Sequence, residues 1–168
     1  MRHIDKRWSP SRLATFAAAI VVLVLIDQAT KLIIRSNLSY GSTWPDGWEL
    51  IRISHVTNTG IAFGFLQGNS GALAIIVSTA LIFFVVTVLR REKLTEISDY
   101  CFAAILSGAI GNLWDRFQRG EVTDFIDPIY YPSFNVADSL ISVAAVVLIG
   151  HYLVFESRTT QKSSETLE

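Results

Sequence analysis

Charge is scarce in this sequence. Asp, Glu, Lys and Arg make up 17% of its 168 residues, against about 25% in an ordinary soluble domain. With a mean hydropathy of +0.40, that shortage excludes a typical water-soluble fold. The net charge of −1 gives no reason to expect a nucleic-acid partner. Cysteine is nearly absent. The single Cys101 excludes an internal disulfide and a multi-cysteine metal site. No His-Glu-x-x-His pattern occurs, which argues against a zinc protease, and the site is expected to hold no metal and no cofactor. No internal repeat is visible, and the length requires no second domain.

What the chain does have is long uncharged runs. Leu13 to Ile26 carries no charge, and its apolar character resumes through Ile34. Ile61 to Leu89, Tyr100 to Trp114 and Ser139 to Phe155 are likewise uncharged. A bilayer core of about 30 Å takes roughly 20 helical residues. Buried helices of a soluble bundle would show a polar stripe every turn, yet "AIIVSTALIFFVVTVL" offers only small hydroxyls. The expectation is an α-helical integral membrane protein with four transmembrane helices. The spans fall at about 13–34, 69–89, 97–114 and 136–155, in one membrane-embedded domain over 1–156. A polar cytoplasmic tail, expected to be disordered, follows at 157–168. The basic start "MRHIDKRWSPSR" resembles a signal-peptide n-region, but no small-residue cleavage site follows the first run, so it is read as a retained anchor.

Basic residues set the expected orientation. Arg2, Lys6, Arg7 and Arg12 precede the first span, Arg90, Arg91 and Lys93 join the second and third, and Arg158 and Lys162 follow the fourth. The positive-inside rule then places both termini in the cytoplasm. The connections 35–70 and 115–133 face outward. Between spans 1 and 2, "WELIRISHVTN" has strand-like alternation, so a small extracytoplasmic β platform is expected there. Trp44, Trp48, Tyr130 and Tyr131 suit the water–lipid boundary.

Ionisable groups at membrane depth are costly and draw attention to function. Asp27 and Lys31 are four apart on the first span and share a face, as a self-satisfied ion pair or with the lysine snorkelling outward. Asn112, Asp115 and Arg116 end the third span. An interfacial Asp115–Arg116 pair accounts for the charges but leaves Asn112 unexplained. Asp127, before Pro128, reads as a turn acid. In "FNVADS", Asn135 and Asp138 can form a capping box at the start of the fourth helix. Asp124 and Asp138 lie at opposite ends of one short outer connection. Two readings of them stay open: capping plus surface charge, or a carboxylate dyad sharing a proton for acid–base hydrolysis. A Ser–His pair is poorly served, because His151 lies about 20 Å deeper than Asp138 on the fourth helix and His55 has no orienting acid; Ser70 with Lys31 is little better. A carrier or proton relay would use midplane polar residues in repeated halves, whereas here they gather at one face.

In order, "DQATK" (27–31), "NTGIAFG" (58–64), "GNLWDR" (111–116), "VTDFI" (122–126) and "FNVADS" (134–139) resemble the lipoprotein signal peptidases, or signal peptidase II. The resemblance covers about Leu23 to Phe155. It implies a bacterial inner-membrane aspartyl endopeptidase with four spans. Such an enzyme removes the signal peptide of a prolipoprotein on the N-terminal side of its diacylglyceryl-modified cysteine. It implies Asp124 and Asp138 as the catalytic pair, with Asn58, Gly60, Asn112, Arg116 and Asn135 lining or shaping the site and Asp27 and Lys31 supporting it. The implied partners are diacylglyceryl-prolipoproteins, membrane lipids and cyclic peptide inhibitors such as globomycin.

Overall fold

The computed structural model of the chain describes residues 9–45, 47, 48, 50–60, 70–90 and 95–165. Among these residues, four long helices and a small sheet make up the fold. Helix α1 (Pro10–Asn37) starts where the Ser9 hydroxyl accepts from the Arg12 backbone N–H and Pro10 takes the first helical position, where its missing N–H costs nothing. Strands β1 (Thr43–Trp44) and β2 (Ile51–Asn58) follow, then α2 (Ser70–Arg90), α3 (Glu96–Arg119), β3 (Val122–Pro128) and α4 (Val136–Glu165). Thr95 caps α3, with Glu96 and Asp99 in its first turn and Arg116 and Arg119 in its last, each sign where the helix dipole favours it. Gly120, at φ 77°, ends it in the left-handed conformation glycine adopts without strain.

Among the described residues, three helical stretches are long and apolar enough to cross a membrane: Pro10–Asn37, Gly71–Val88 and Val136–Val154. Helix α3 is as long but differs in kind. It packs against all three other helices and buries Ser98, Asp99, Ser107, Asn112 and Asp115, so its position is central and its polar side chains face protein. Outward surfaces are apolar instead: Leu25, Phe83 and Val146 are each more than 60% exposed. Polar inside and apolar outside is the pattern expected where lipid is the solvent.

Two glycines set the helix spacing. A Cβ on Gly111 would strike the Asp27 carboxylate, and one on Gly108 would strike the Ala137 carbonyl and Ile141. Helices α1 and α4 therefore approach α3 at these points as only small residues permit.

The sheet differs from the expected platform in its third strand. Its order is β1-β2-β3, antiparallel throughout, so the α3–α4 connection contributes a strand beside the two from the α1–α2 connection. The cause lies in the register: Val56 pairs with Asp124 and Asn58 with Val122, which lets buried Val122 and Phe125 anchor β3. The backbone of α4 continues to Glu165, so the polar segment expected after residue 156 begins as helix. Residues 91–94, in the expected connection between the second and third spans, and the "IAFG" part of one motif lie outside the described residues.

Candidate active site

The site forms where β3 passes the end of α3 and the start of α4. In β3, Asp124 is only 3% exposed. Its Oδ1 accepts from Asn135 Nδ2 at 2.7 Å and its Oδ2 from Asn58 Nδ2 at 3.2 Å. The pairing of Val56 with Asp124 puts Asn58, two residues on, over the same face of the sheet, where diagonal neighbours reach one another.

Asp138 stands in the first turn of α4. Its Oδ1 accepts from Asn112 Nδ2 at 2.8 Å, and its Oδ2 from the Asn135 backbone N–H at 3.2 Å. The Asn135 side-chain carbonyl accepts from the Asp138 N–H at 3.0 Å. This closes the capping box expected from "FNVADS". Asn135 is fully buried, and its amide also reaches Asn112 Oδ1 at 3.2 Å and the Thr123 carbonyl at 3.3 Å. Two hydrogens serve three acceptors, and the short contact to Asp124 marks the preferred one.

Arg116 donates to the Gly60 carbonyl at 2.9 Å and to its own helix at the Asn112 carbonyl at 3.3 Å. It does not pair with Asp115. The Asn58 side chain turns back to accept from the Gly60 N–H at 2.9 Å. Asn58, Gly60, Asn112, Arg116, Asp124 and Asp138 all border one cavity of about 580 Å³, with Val77 and Ile141 among its apolar walls.

Burial first, and then the negative charge of Asp138, pushes the Asp124 carboxyl up to about 7. The amides of Asn58 and Asn135 and the charge of Lys31 pull the other way without cancelling this. Near neutral pH the two carboxyls can therefore hold one proton between them.

Behind the cavity lies a fully buried ionic cluster. Lys31 Nζ reaches Asp27 at 2.9 Å, Asp115 at 3.0 Å and Asn112 Oδ1 at 2.9 Å. The lysine is fully buried and does not snorkel; three acceptors satisfy its three donors. Asp27 Oδ1 also accepts from the Ala137 N–H at 3.0 Å, so α1 caps α4 beside Asp138. The chain of contacts runs Asp27, Lys31, Asn112, Asp138.

The Asp115–Arg116 pair that stood as one reading of this cluster does not form; the partners of Asp115 are Lys31 and, at 3.9 Å, Arg35. Arg35 also donates to Thr123 Oγ1 at 3.0 Å, and neither Arg35 nor Thr123 was anticipated. Asp27, Lys31 and Arg35 recur at every fourth residue, one continuous stripe, and that spacing was the available signal. Asp127 stands apart, held by Arg52 at 2.9 Å and Ser133 at 2.8 Å. His55 Nδ1 lies 2.8 Å from the Leu38 carbonyl, and His151 Nε2 lies 2.9 Å from Thr95 Oγ1 at the far end of the bundle. The Ser70 side chain lies outside the described residues. Among those residues no cluster of three metal-binding side chains occurs.

The family model described as "Signal peptidase (SPase) II" matches residues 19–154. The chain belongs to the signal peptidase II family. It is 39% identical to the lipoprotein signal peptidase of Caldanaerobacter subterraneus subsp. tengcongensis, over 82% of this chain and 94% of that one. It is 36% identical to that of Dehalococcoides mccartyi strain BAV1, over 86% and 91%. A solved bacterial membrane enzyme superposes with a TM-score of 0.79 at 30% identity, covering 86% of this chain and 91% of its own. The motif-based resemblance to signal peptidase II is thereby borne out, and with it the class: an aspartic peptidase built on membrane-spanning helices.

Proposed function

We propose that this signal peptidase II cleaves prolipoproteins by water attack between Asp124 and Asp138. The observation that carries this reading is the pair of carboxyl groups bordering one cavity, bridged by the buried amide of Asn135. Asp124 holds the shared proton and donates it in a hydrogen bond to the scissile carbonyl oxygen. Asp138 accepts a proton from water, and the resulting hydroxide adds to the carbonyl carbon. The tetrahedral intermediate collapses with cleavage of the C–N bond, and the leaving nitrogen takes up the proton held by Asp138. Asn58 and Asn112 hold the acids in place through the hydrogen bonds described above, and Arg116 offers its charge to substrate carbonyls at the cavity edge.

The placement supports the substrate class. The cavity opens where helices meet the sheet, so a signal-peptide helix can lie along α2 and α4 with its cleavage bond at the polar end. Hydrolysis on the N-terminal side of a diacylglyceryl-cysteine would leave the lipid chains in the bilayer. In this reading α3 also crosses the membrane, as the third of four spans, residues 1–156 form one peptidase unit in the bacterial inner membrane, and both termini face the cytoplasm with the site near the outer leaflet. Globomycin-like cyclic peptides would compete for the same cavity.

The test is incubation of the purified protein with a diacylglyceryl-prolipoprotein. A mass loss equal to the signal peptide is expected. Asp124→Asn and Asp138→Asn should each lower the rate by about 10²–10⁴-fold, the usual worth of a positioned acid or base. Full activity in either variant would sink the dyad. Inhibition by a chelator would point to a metal instead.

A further inference from the structure

The two acids of the site stand on different parts of the fold, Asp124 on β3 and Asp138 on α4. Their separation therefore depends on how the sheet is fastened to the helices. On the cavity side Asn135 is the bridge. The opposite face of β3 carries a second fastening, which the proposed reaction does not use. Successive side chains of a strand point to opposite faces. Val122 and Asp124 border the cavity, whereas Thr123 turns away from it and is 2% exposed. The Thr123 hydroxyl accepts from Arg35 Nη1 at 3.0 Å. Its N–H points to Asp115 Oδ2 at 3.5 Å, and its carbonyl accepts from Asn135 Nδ2 at 3.3 Å. All three polar groups of the residue before Asp124 are engaged, and the shortest of these contacts comes from Arg35.

Arg35 is itself anchored. It stands in the last turn of α1 and is mostly buried, with Asp115 Oδ1 at 3.9 Å. It also feels the charges of Asp27 and Arg119, of opposite sign. A guanidinium is a rigid planar fork, so it can hold a hydroxyl and a carboxylate in one fixed arrangement. Thr123 is thereby tied to α1 and α3 together. We propose that Arg35 is a positioning residue for cleavage: acting through the Thr123 hydroxyl, it pins β3 to the helices and keeps Asp124 at its working separation from Asp138. Arg35 is not among the described residues that border the cavity, so its effect passes through Thr123. The inference rests on the dyad reading of the site.

Loosening β3 has a signature that a merely stabilising contact lacks. Burial and the charge of Asp138 hold the Asp124 carboxyl up, against Asn58, Asn135 and Lys31; Arg116 faces both acids from α3. If the strand drifts, both upward influences weaken, and the carboxyl moves back from about 7 towards its ordinary 3.8. Direct loss of a nearby cation would move it up instead, because positive charge favours the ionised form.

Steady-state cleavage of a diacylglyceryl-prolipoprotein by Arg35→Leu, Thr123→Val and the double variant tests this, with Asp124→Asn alongside. Arg35→Leu should lower kcat about tenfold or more, inside the hundredfold that a misplacement of about 1 Å can cost. KM should change by less than about twofold, since no binding contact is removed. The pH at which cleavage declines should fall. Thr123→Val keeps the cation and removes only the hydroxyl, and it should move kcat and the pH profile in the same sense. The double variant should be about as slow as the slower single one, because both substitutions cut one link. Parental kcat and pH profile in Arg35→Leu, with Asp124→Asn slowed as expected, overturns this inference and leaves the dyad standing. Full activity in Asp124→Asn overturns the dyad and this inference with it. A profile that moves up, effects that multiply in the double variant, or a lower unfolding midpoint with an unaltered profile each overturns the positioning role alone. If Arg35→Leu fails to fold, Thr123→Val decides by the same kcat and pH readings.

Discussion

Asn135 and Asp138 hold each other from both sides. The Asn135 backbone N–H donates to Asp138 Oδ2 at 3.2 Å, and the Asp138 N–H donates to Asn135 Oδ1 at 3.0 Å. The remaining side-chain amide of Asn135 is thereby aimed at Asp124, 2.7 Å away. A capping box and a carboxylate bridge are one device here. The acid that starts α4 is held at a fixed angle by the residue that also holds its partner acid.

Replacing Asn135 with Ala should therefore do two things at once. Loss of the cap should cost about 0.5–2 kcal/mol of stability, seen as a lower thermal unfolding midpoint. Cleavage should fall by more than that stability loss accounts for, because Asp124 loses its shortest hydrogen bond. Asn135→Ser restores a capping oxygen but not the amide. It should recover the midpoint and leave the cleavage rate low.

Acidity at Asp124 predicts a pH profile. With the carboxyl pushed up to about 7, cleavage that needs its proton should decline as pH rises through 7. Stability should move in the same direction. The folded chain holds this proton more firmly than the unfolded chain, whose carboxyl titrates near 3.8, so between about 4 and 7 the folded state binds more protons. Stability contributed by this group is full below about 4 and is lost as pH rises towards 7. Unfolding midpoints of the parent and Asp124→Asn across that range check the sign: the parent should fall with pH relative to the variant. A flat difference would remove Asp124 as the proton carrier.

Lys31→Met should be severe although Lys31 does not border the cavity. The lysine is enclosed by Asp27, Asp115 and Asn112. Breaking a buried ionic cluster from one side costs about 3–5 kcal/mol, because the remaining charges stay buried without a partner. Detergent-solubilised Lys31→Met should unfold well below the parent. Adding Asp27→Asn and Asp115→Asn should restore part of the loss. No recovery in the triple variant would mean that the lysine's role is not electrostatic.

Much of this was legible in the residues because membrane helices leave little room for accidental polarity. Long uncharged runs located α1, α2 and α4, and the few acids and amides at their ends marked the site. The third strand was hidden because β3 pairs with a segment more than sixty residues away, and local alternation carries no partner information. The partners of Asp115 were hidden for a related reason. Sequence proximity favoured Arg116, whereas the close approach of α1 at Gly111 brings in Lys31 and Arg35.

That close approach makes Gly111 the most informative position outside the dyad. A methyl group there would strike Asp27 Oδ2, the oxygen that holds Lys31 at 2.9 Å and Gln28 at 3.0 Å. Asp27 cannot retreat without releasing the Ala137 N–H at the start of α4, and Asp138 is the next residue. Overpacking of this kind costs about 1–3 kcal/mol, so Gly111→Ala should lower both the unfolding midpoint and the cleavage rate. Gly150, also in α4, has nothing within 4 Å of the added carbon. There the change to Ala should leave cleavage intact and stability unchanged or higher by up to about 1 kcal/mol, the gain in helix propensity. The pair separates a packing effect from a general intolerance of alanine in these helices. If Gly111→Ala cleaves at the rate of Gly150→Ala, the Asp27 cap does not position Asp138.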